Sequence, residues 1–271
     1  MPQGLPASVP VHQLRVFLEG SHACIAGSAV AAEQYGFDES YDDIDIFCYS
    51  NSSMIAVAQH LMDHGFAFND THMSMVWDRW MAWDMNVGWK TNSMKLHGTL
   101  DPSTPPYTCN VVYKMFEKQP IRRLSDVLES FDFGVLAMGY DLIDDGEFHD
   151  MRSYFYPRAT DFDRLQLLPE RRRQWQQGRV TQYVGIRQAG RAVKYHRYGY
   201  DMELVIPDLI SGYRIAASHH QGHFDQEKVV LGQIYDRLAD HLEDGELDLI
   251  AAADKLLPQY RNVDLLLEAL D

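Results

Sequence analysis

The 271-residue sequence predicts an α/β (α+β) chain, with a mixed strand-and-helix head over residues 1–150 and a mostly helical part over 151–271. Three observations carry this reading. Short apolar runs bounded by turn residues recur through the head, as strands do. One of them, Cys24-Ile25-Ala26, runs through Gly27-Ser28 into helix formers. Further along, polar and Arg-rich stretches with helical spacing take over.

Residues 1–10 are Pro-rich and read as a loose arm, and Val11 to Glu19 as a short amphipathic helix or strand. His22 to Ala26 is a strand. Ala29 to Tyr35 begins a helix whose N-terminus faces the Gly-Ser turn, where an anion is welcome. Ile44 to Tyr49 is a strand. Ser52-Ser53 is expected to cap a helix over Met54 to His64, with Gly65 as its stop. Residues 66–106 form an insertion rich in Met and Trp, with Trp77, Trp80 and Trp83 at the spacing of one helical stripe. The simpler reading of that stripe is core or a subunit contact between copies of the chain. The sharper one is a stacking surface for a base.

Val87 to Leu96 and Thr108 to Lys114 read as strands, and Ser125 as the cap of a helix over Asp126 to Ser130. Val135 to Tyr140 is a further strand. Asp161 to Gly178 is a polar helical stretch. Thr181 to Tyr198 is a helix that places Arg187, Arg191 and Lys194 on one face. The segments 206–217, 226–241 and 248–257 continue the helical part.

Composition bounds the function. With 46% apolar residues the chain can build a core, and it holds no run of about 18 apolar residues that would cross a membrane. The N-terminus lacks the basic and apolar regions of a secretory signal. The net charge of −15 argues against long contacts with duplex nucleic acid, though a local basic patch could still meet a nucleic-acid end. Cys24, Cys48 and Cys109 fit neither a zinc site nor a disulfide framework. They read as buried thiols in a reducing compartment, the cytoplasm.

The chemistry concentrates at Gly27-Ser28 and Asp43-Ile44-Asp45. Carboxylates at alternate positions of a strand share a face, and two like charges held that close call for a hard divalent cation between them. Gly27 lets the backbone approach a phosphate, and Ser28 adds a donor. Together these predict metal-assisted phosphoryl or nucleotidyl transfer, with Asp43 and Asp45 as ligands of Mg²⁺ (or Mn²⁺). His219, His220 and His223 lack an evident fourth ligand and read as polar surface rather than a zinc site. Arg171-Arg172-Arg173 reads as a solvated helix end in preference to a nucleic-acid contact.

In this order the pieces resemble the nucleotidyltransferase (DNA polymerase β) superfamily. More narrowly, they are similar to the head and neck of bacterial-type tRNA CCA-adding enzymes and poly(A) polymerases, and to stand-alone phage or large-virus proteins of that kind. Gly27-Ser28 stands for the family's Gly-Ser turn and Asp43-Ile44-Asp45 for its Asp-x-Asp. The segment Ser130-Phe131-Asp132-Phe133-Gly134 occupies the place of its Arg-Arg-Asp-Phe-Thr block. The run from Arg191 to Tyr200 matches its Arg-rich helix.

The resemblance implies a mixed nucleotidyltransferase sheet with flanking helices. It also implies an NTP substrate, a catalytic role for Asp132 beside Asp43 and Asp45, and triphosphate contacts from Arg187, Arg191 and Lys194. Asn110 stands where the family offers a third carboxylate, so it enters as a nucleotide-site residue and a weak, neutral oxygen ligand. Either Asp132 or another acid then completes the site, or activity is weakened or lost. The expected reaction moves NMP from an NTP such as ATP to a hydroxyl on an RNA 3′ end, a protein or a small molecule. The alternative is a nucleotide- or partner-binding module. For phage proteins of this kind, the compartment is the host cytoplasm.

Overall fold

The computed structural model describes residues 8–35, 43–68, 89–116, 119–143, 146–156, 158 and 164–176, with Arg191, Ala192, Tyr195, Tyr200, Asp201, Leu204, Val205 and Asp208. The Trp stripe, Arg187, Lys194, the His219–His223 cluster and the helices expected after residue 208 lie outside the described residues. The chain divides into two compact units. The first takes in Met1–Phe131, Val135–Tyr154 and Leu267–Asp271, and the second Asp132–Gly134 and Phe155–Leu266.

The first unit is a mixed sheet with flanking helices. In chain order it runs α1 (Ser8–Phe17), β1 (Ala23–Ala26), α2 (Ser28–Tyr35), β2 (Ile44–Cys48), α3 (Asn51–Asp63), β3 (Ala67–Phe68), β4 (Trp89–Gly98), β5 (Tyr107–Phe116), β6 (Gln119–Pro120), α4 (Leu124–Glu129), β7 (Met138–Asp141), β8 (Glu147–Asp150) and the short α5 (Arg152–Phe155). The strand order is β3-β4-β5-β2-β1-β7-β8, with β6 paired to β5. Among the described strands of this sheet, β2 and β5 pair parallel and the other pairings are antiparallel.

Apolar spacing explains the layers. In α1, Val11 and Leu14 are buried, with Leu18 just past its end, and in α3 Met54, Val57, Ala58 and Leu61 are, each set following a helical stripe. Strand β1 is buried at all four positions, as a central strand covered on both faces should be. Tyr140 of β7 donates to Glu33 (2.7 Å), accepts from Gln34 (3.0 Å), and lies under the Arg15 guanidinium, 4.0 Å from its ring centroid. That places α1 and α2 on the Tyr140 face. Phe17 stacks on His60 at 4.3 Å, which brings α3 beside α1.

Gly139, next along β7, faces the other way. A Cβ there would stand 2.9 Å from Leu124 Cδ1 and 2.7 Å from the Ile25 carbonyl oxygen, so a bare backbone is what lets α4 lie on that face.

Several boundaries differ from expectation, and α1 starts at Ser8, inside the arm expected over residues 1–10. Helix α3 starts earlier because Ser50, not Ser52 or Ser53, is the cap. Its backbone is extended, its Oγ accepts from the Ser53 N–H (3.0 Å), and the Ser50 N–H donates back to Ser53 Oγ (3.0 Å). Helix α4 starts at Leu124, with Arg123 extended at the cap position and no side chain capping it; Ser125 lies inside the helix, and the Asp126 carboxylate takes the Arg122 N–H (3.1 Å) and the Arg123 Nε (2.9 Å). The strand expected over 135–140 is a 3₁₀ turn at Gly134–Leu136, followed by β7.

In the second unit, the helix expected from Asp161 begins only at Pro169, as α6 (Pro169–Gln176). Proline suits a first helical position because its missing N–H would be unpaired there anyway. Among the described residues before it, two form isolated β-bridges. Leu167 bridges Phe133, and Arg164 bridges Asp201. Phe133 is fully buried and meets Tyr195 edge-on at 5.9 Å.

Candidate functional site

The sheet register builds a row of side chains. Ala26 of β1 faces Asp45 of β2, Asp45 faces Asn110 of β5, and Asn110 faces Lys95 of β4. Residues directly opposite one another share a face, so Asp45, Asn110 and Lys95 project together from the face that carries α4. Asp43, one residue before β2 begins, precedes Asp45 by two.

The turn after β1 completes the site. Gly27 has φ +98°, a left-handed conformation natural to glycine, and its carbonyl accepts the Ala31 N–H (3.0 Å) as α2 begins. A Cβ on Gly27 would stand 3.2 Å from Asp45 Oδ2 and 3.9 Å from Phe131 Cζ. The Asp45 carboxylate therefore lies against the bend, near the N-terminus of α2, where the helix dipole favours negative charge. Gly27→Ala is expected to cost about 1–2 kcal/mol in left-handed strain. The same substitution presses on the carboxylate. Urea unfolding reads the first effect, and divalent-ion or nucleotide affinity the second.

The carboxylates are not bare. Asn110 Nδ2 donates to Asp45 Oδ1 at 2.8 Å, and Lys95 Nζ stands 3.3 Å from Asp43 Oδ2. The Asn110 amide oxygen is buried and has no hydrogen-bond partner. Burial pushes the Cys109 thiol well above its ordinary range, and the charge of Asp43 adds to the effect. Cys24 and Cys48 are likewise buried and unpaired, their thiols raised by burial.

The donor set of two carboxylates and one orphaned amide oxygen fits a hard divalent cation, which takes oxygen ligands. Among the described residues, no group of three or more His, Cys, Asp or Glu side chains is placed to hold a metal ion. An ion here would therefore depend on Asn110 Oδ1 beside Asp43 and Asp45.

Of the residues singled out in the sequence, Gly27, Ser28, Asp43, Asp45 and Asn110 thus fall in one region of the first unit. Asp132 and Arg191 belong to the second unit, where they pair with each other. Arg171 Nε also stands 3.4 Å from Asp132 Oδ1. This corrects the reading of Arg171–Arg173 as a solvated helix end. The Arg171 side chain is 8% exposed, Arg172 pairs with Asp208 (2.7 Å), and Arg173 alone of the three is exposed.

Sequence reasoning missed Lys95 and Phe131. Lys95 carries a faint signal, a charge at an alternating position of a strand, but only the register shows that it faces Asn110. Phe131 closes the far side of the bend and packs against Phe47 with centroids 5.7 Å apart.

No family model matches the chain, and neither a curated protein nor a solved structure matches it. Among the described residues no helix is long and apolar enough to cross a membrane.

Proposed function

We propose that the first unit is a nucleotidyltransferase-type site that binds an NTP with Mg²⁺ (or Mn²⁺) and transfers NMP to a hydroxyl, releasing pyrophosphate. The observation that carries this reading is the Asp45 carboxylate lying against the left-handed Gly27 bend, at the N-terminus of α2 and beside the orphaned Asn110 oxygen.

Asp43, Asp45 and Asn110 would hold the ion. When bound, it supplies Lewis-acid neutralisation of phosphate charge and acidifies an acceptor hydroxyl. The residues do the rest. The bare Gly27 backbone and the first turn of α2 receive phosphate oxygens, and the Ser28 hydroxyl adds a donor. Asn110 Nδ2 fixes the orientation of Asp45 through its 2.8 Å hydrogen bond. In the transfer, the acceptor oxygen bonds to the α-phosphorus and the bond to the bridging oxygen breaks. Pyrophosphate leaves with that electron pair, and the hydroxyl proton goes to water. The acceptor is an RNA 3′ end, a protein side chain or a small molecule. Asp132 and Arg191, which pair with each other in the second unit, and Arg187 and Lys194, which lie outside the described residues, enter no step of this proposal. A cytoplasmic setting goes with it, supported by three buried thiols.

A second reading has its own observations. Asn110 in place of an acid, and Lys95 paired with Asp43, lower the negative charge that would draw in a cation. They favour a module that binds a nucleotide or a partner without turnover. Incubation with each α-labelled NTP and Mg²⁺ or Mn²⁺, over RNA and protein acceptors, separates the two. Label on an acceptor, lost in Asp43→Ala/Asp45→Ala, supports transfer. Nucleotide binding with no label moved supports the module.

A further inference from the structure

Lys95 has no part in the reaction as described, yet its side chain crosses strand β5 to reach Asp43 (3.3 Å from Oδ2), on the face that carries Asp45 and Asn110. The pair is partly open to water, with Lys95 34% and Asp43 18% exposed. An ion pair of that exposure is weak, and a competitor of higher charge displaces it. The ammonium carries three donors on a flexible stem, so once released it can turn to an anion.

We propose that Lys95 is a built-in counter-ion. It neutralises Asp43 while the site is empty, yields the carboxylate to the divalent cation, and then donates to the phosphates of the nucleotide. This rests on the reading of Asp43 and Asp45 as metal ligands. It predicts opposite effects on the two ligands of the site. Removing the lysine's charge strengthens binding of the cation alone and weakens binding of the nucleotide that follows. A lysine that serves only to hold strands β2, β4 and β5 together would move neither in that pattern.

The test is Mn²⁺ binding followed by electron paramagnetic resonance, on the full chain, for wild type, Lys95→Met, Lys95→Arg and Asp45→Asn, with ATP affinity measured at saturating Mn²⁺. Lys95→Gln replaces Lys95→Met if the latter fails to fold. The expected result is Mn²⁺ binding about fivefold tighter in Lys95→Met, the scale of one exposed ion pair. Lys95→Arg stays near wild type, and ATP binds more weakly to Lys95→Met. Mn²⁺ affinity equal or lower in Lys95→Met overturns the counter-ion role and leaves the metal site standing. So does tighter Mn²⁺ binding with ATP affinity unchanged or increased. No Mn²⁺ binding in any variant, or binding undiminished by Asp45→Asn, overturns the metal site and the counter-ion role together.

Discussion

Asp45→Asn is expected to lower the proposed nucleotidyl transfer by at least about 10²-fold, the scale seen when one preorganised charge-stabilising group is removed from an active site. The fold is expected to survive. Asparagine has the shape of aspartate, so it keeps the close fit against Gly27, where a Cβ would stand 3.2 Å from Oδ2. Its amide oxygen still accepts the hydrogen bond from Asn110 Nδ2, now 2.8 Å long. What is lost is the negative charge beside the bend. Stability should therefore change by less than about 1 kcal/mol, as for a neutral-for-charged hydrogen-bond partner. The check is a pair of measurements on one preparation, labelled-NTP turnover and urea unfolding. Full activity in a well-folded Asp45→Asn protein would remove Asp45 from the chemistry.

Asp132→Ala has the largest expected effect on stability, about 3 kcal/mol, because truncating one partner of a buried ion pair strands the other. Asp132 is 11% exposed and Arg171 8%, so neither group regains much water when the pair is broken. Arg191, 44% exposed, loses less. The Asp132 backbone carbonyl also accepts the Leu168 N–H (2.9 Å), and that bond survives the substitution. The substitution thus removes the ionic contacts to Arg171 and Arg191 while that backbone bond stays. Urea denaturation of Asp132→Ala against Asp132→Asn reads it, since the asparagine keeps an acceptor for Arg171. If instead Asp132→Ala leaves stability unchanged and raises only the KM for NTP, its carboxylate serves the nucleotide and not the arginines.

These two residues show what the sequence makes legible. Asp45 could be placed because its signals are local: an alternating acid in an apolar run, and a glycine-serine bend ahead of helix formers. Strand periodicity and turn chemistry act over a few residues, and β1, α2, β2 and β5 follow from them. Asp132 could not be placed, because its partners are 39 and 59 residues further along the chain. Lys95 escapes for the same reason, whereas Asn110 is legible as a site residue and only its pairing with Asp45 depends on the register. Which strand lies beside which, and in what register, is a long-range fact of the sheet. The helix starts were misjudged by a subtler route. Ser50, Ser52 and Ser53 all carry hydroxyls suited to a cap, and only the extended backbone of Ser50 decides among them. At α4 no side chain caps the helix, and Ser125 lies inside it.

In the proposed function a triphosphate and its cation sit between Gly27-Ser28 and Asp45. A crystal of the full chain soaked with a non-hydrolysable NTP and Mg²⁺ shows whether they do. Phosphate density is expected on the first turn of α2, with an ion touching Asp45, Asp43 and the amide oxygen of Asn110. Nucleotide bound elsewhere, with Asn110 still holding an ion-free Asp45, would contradict it.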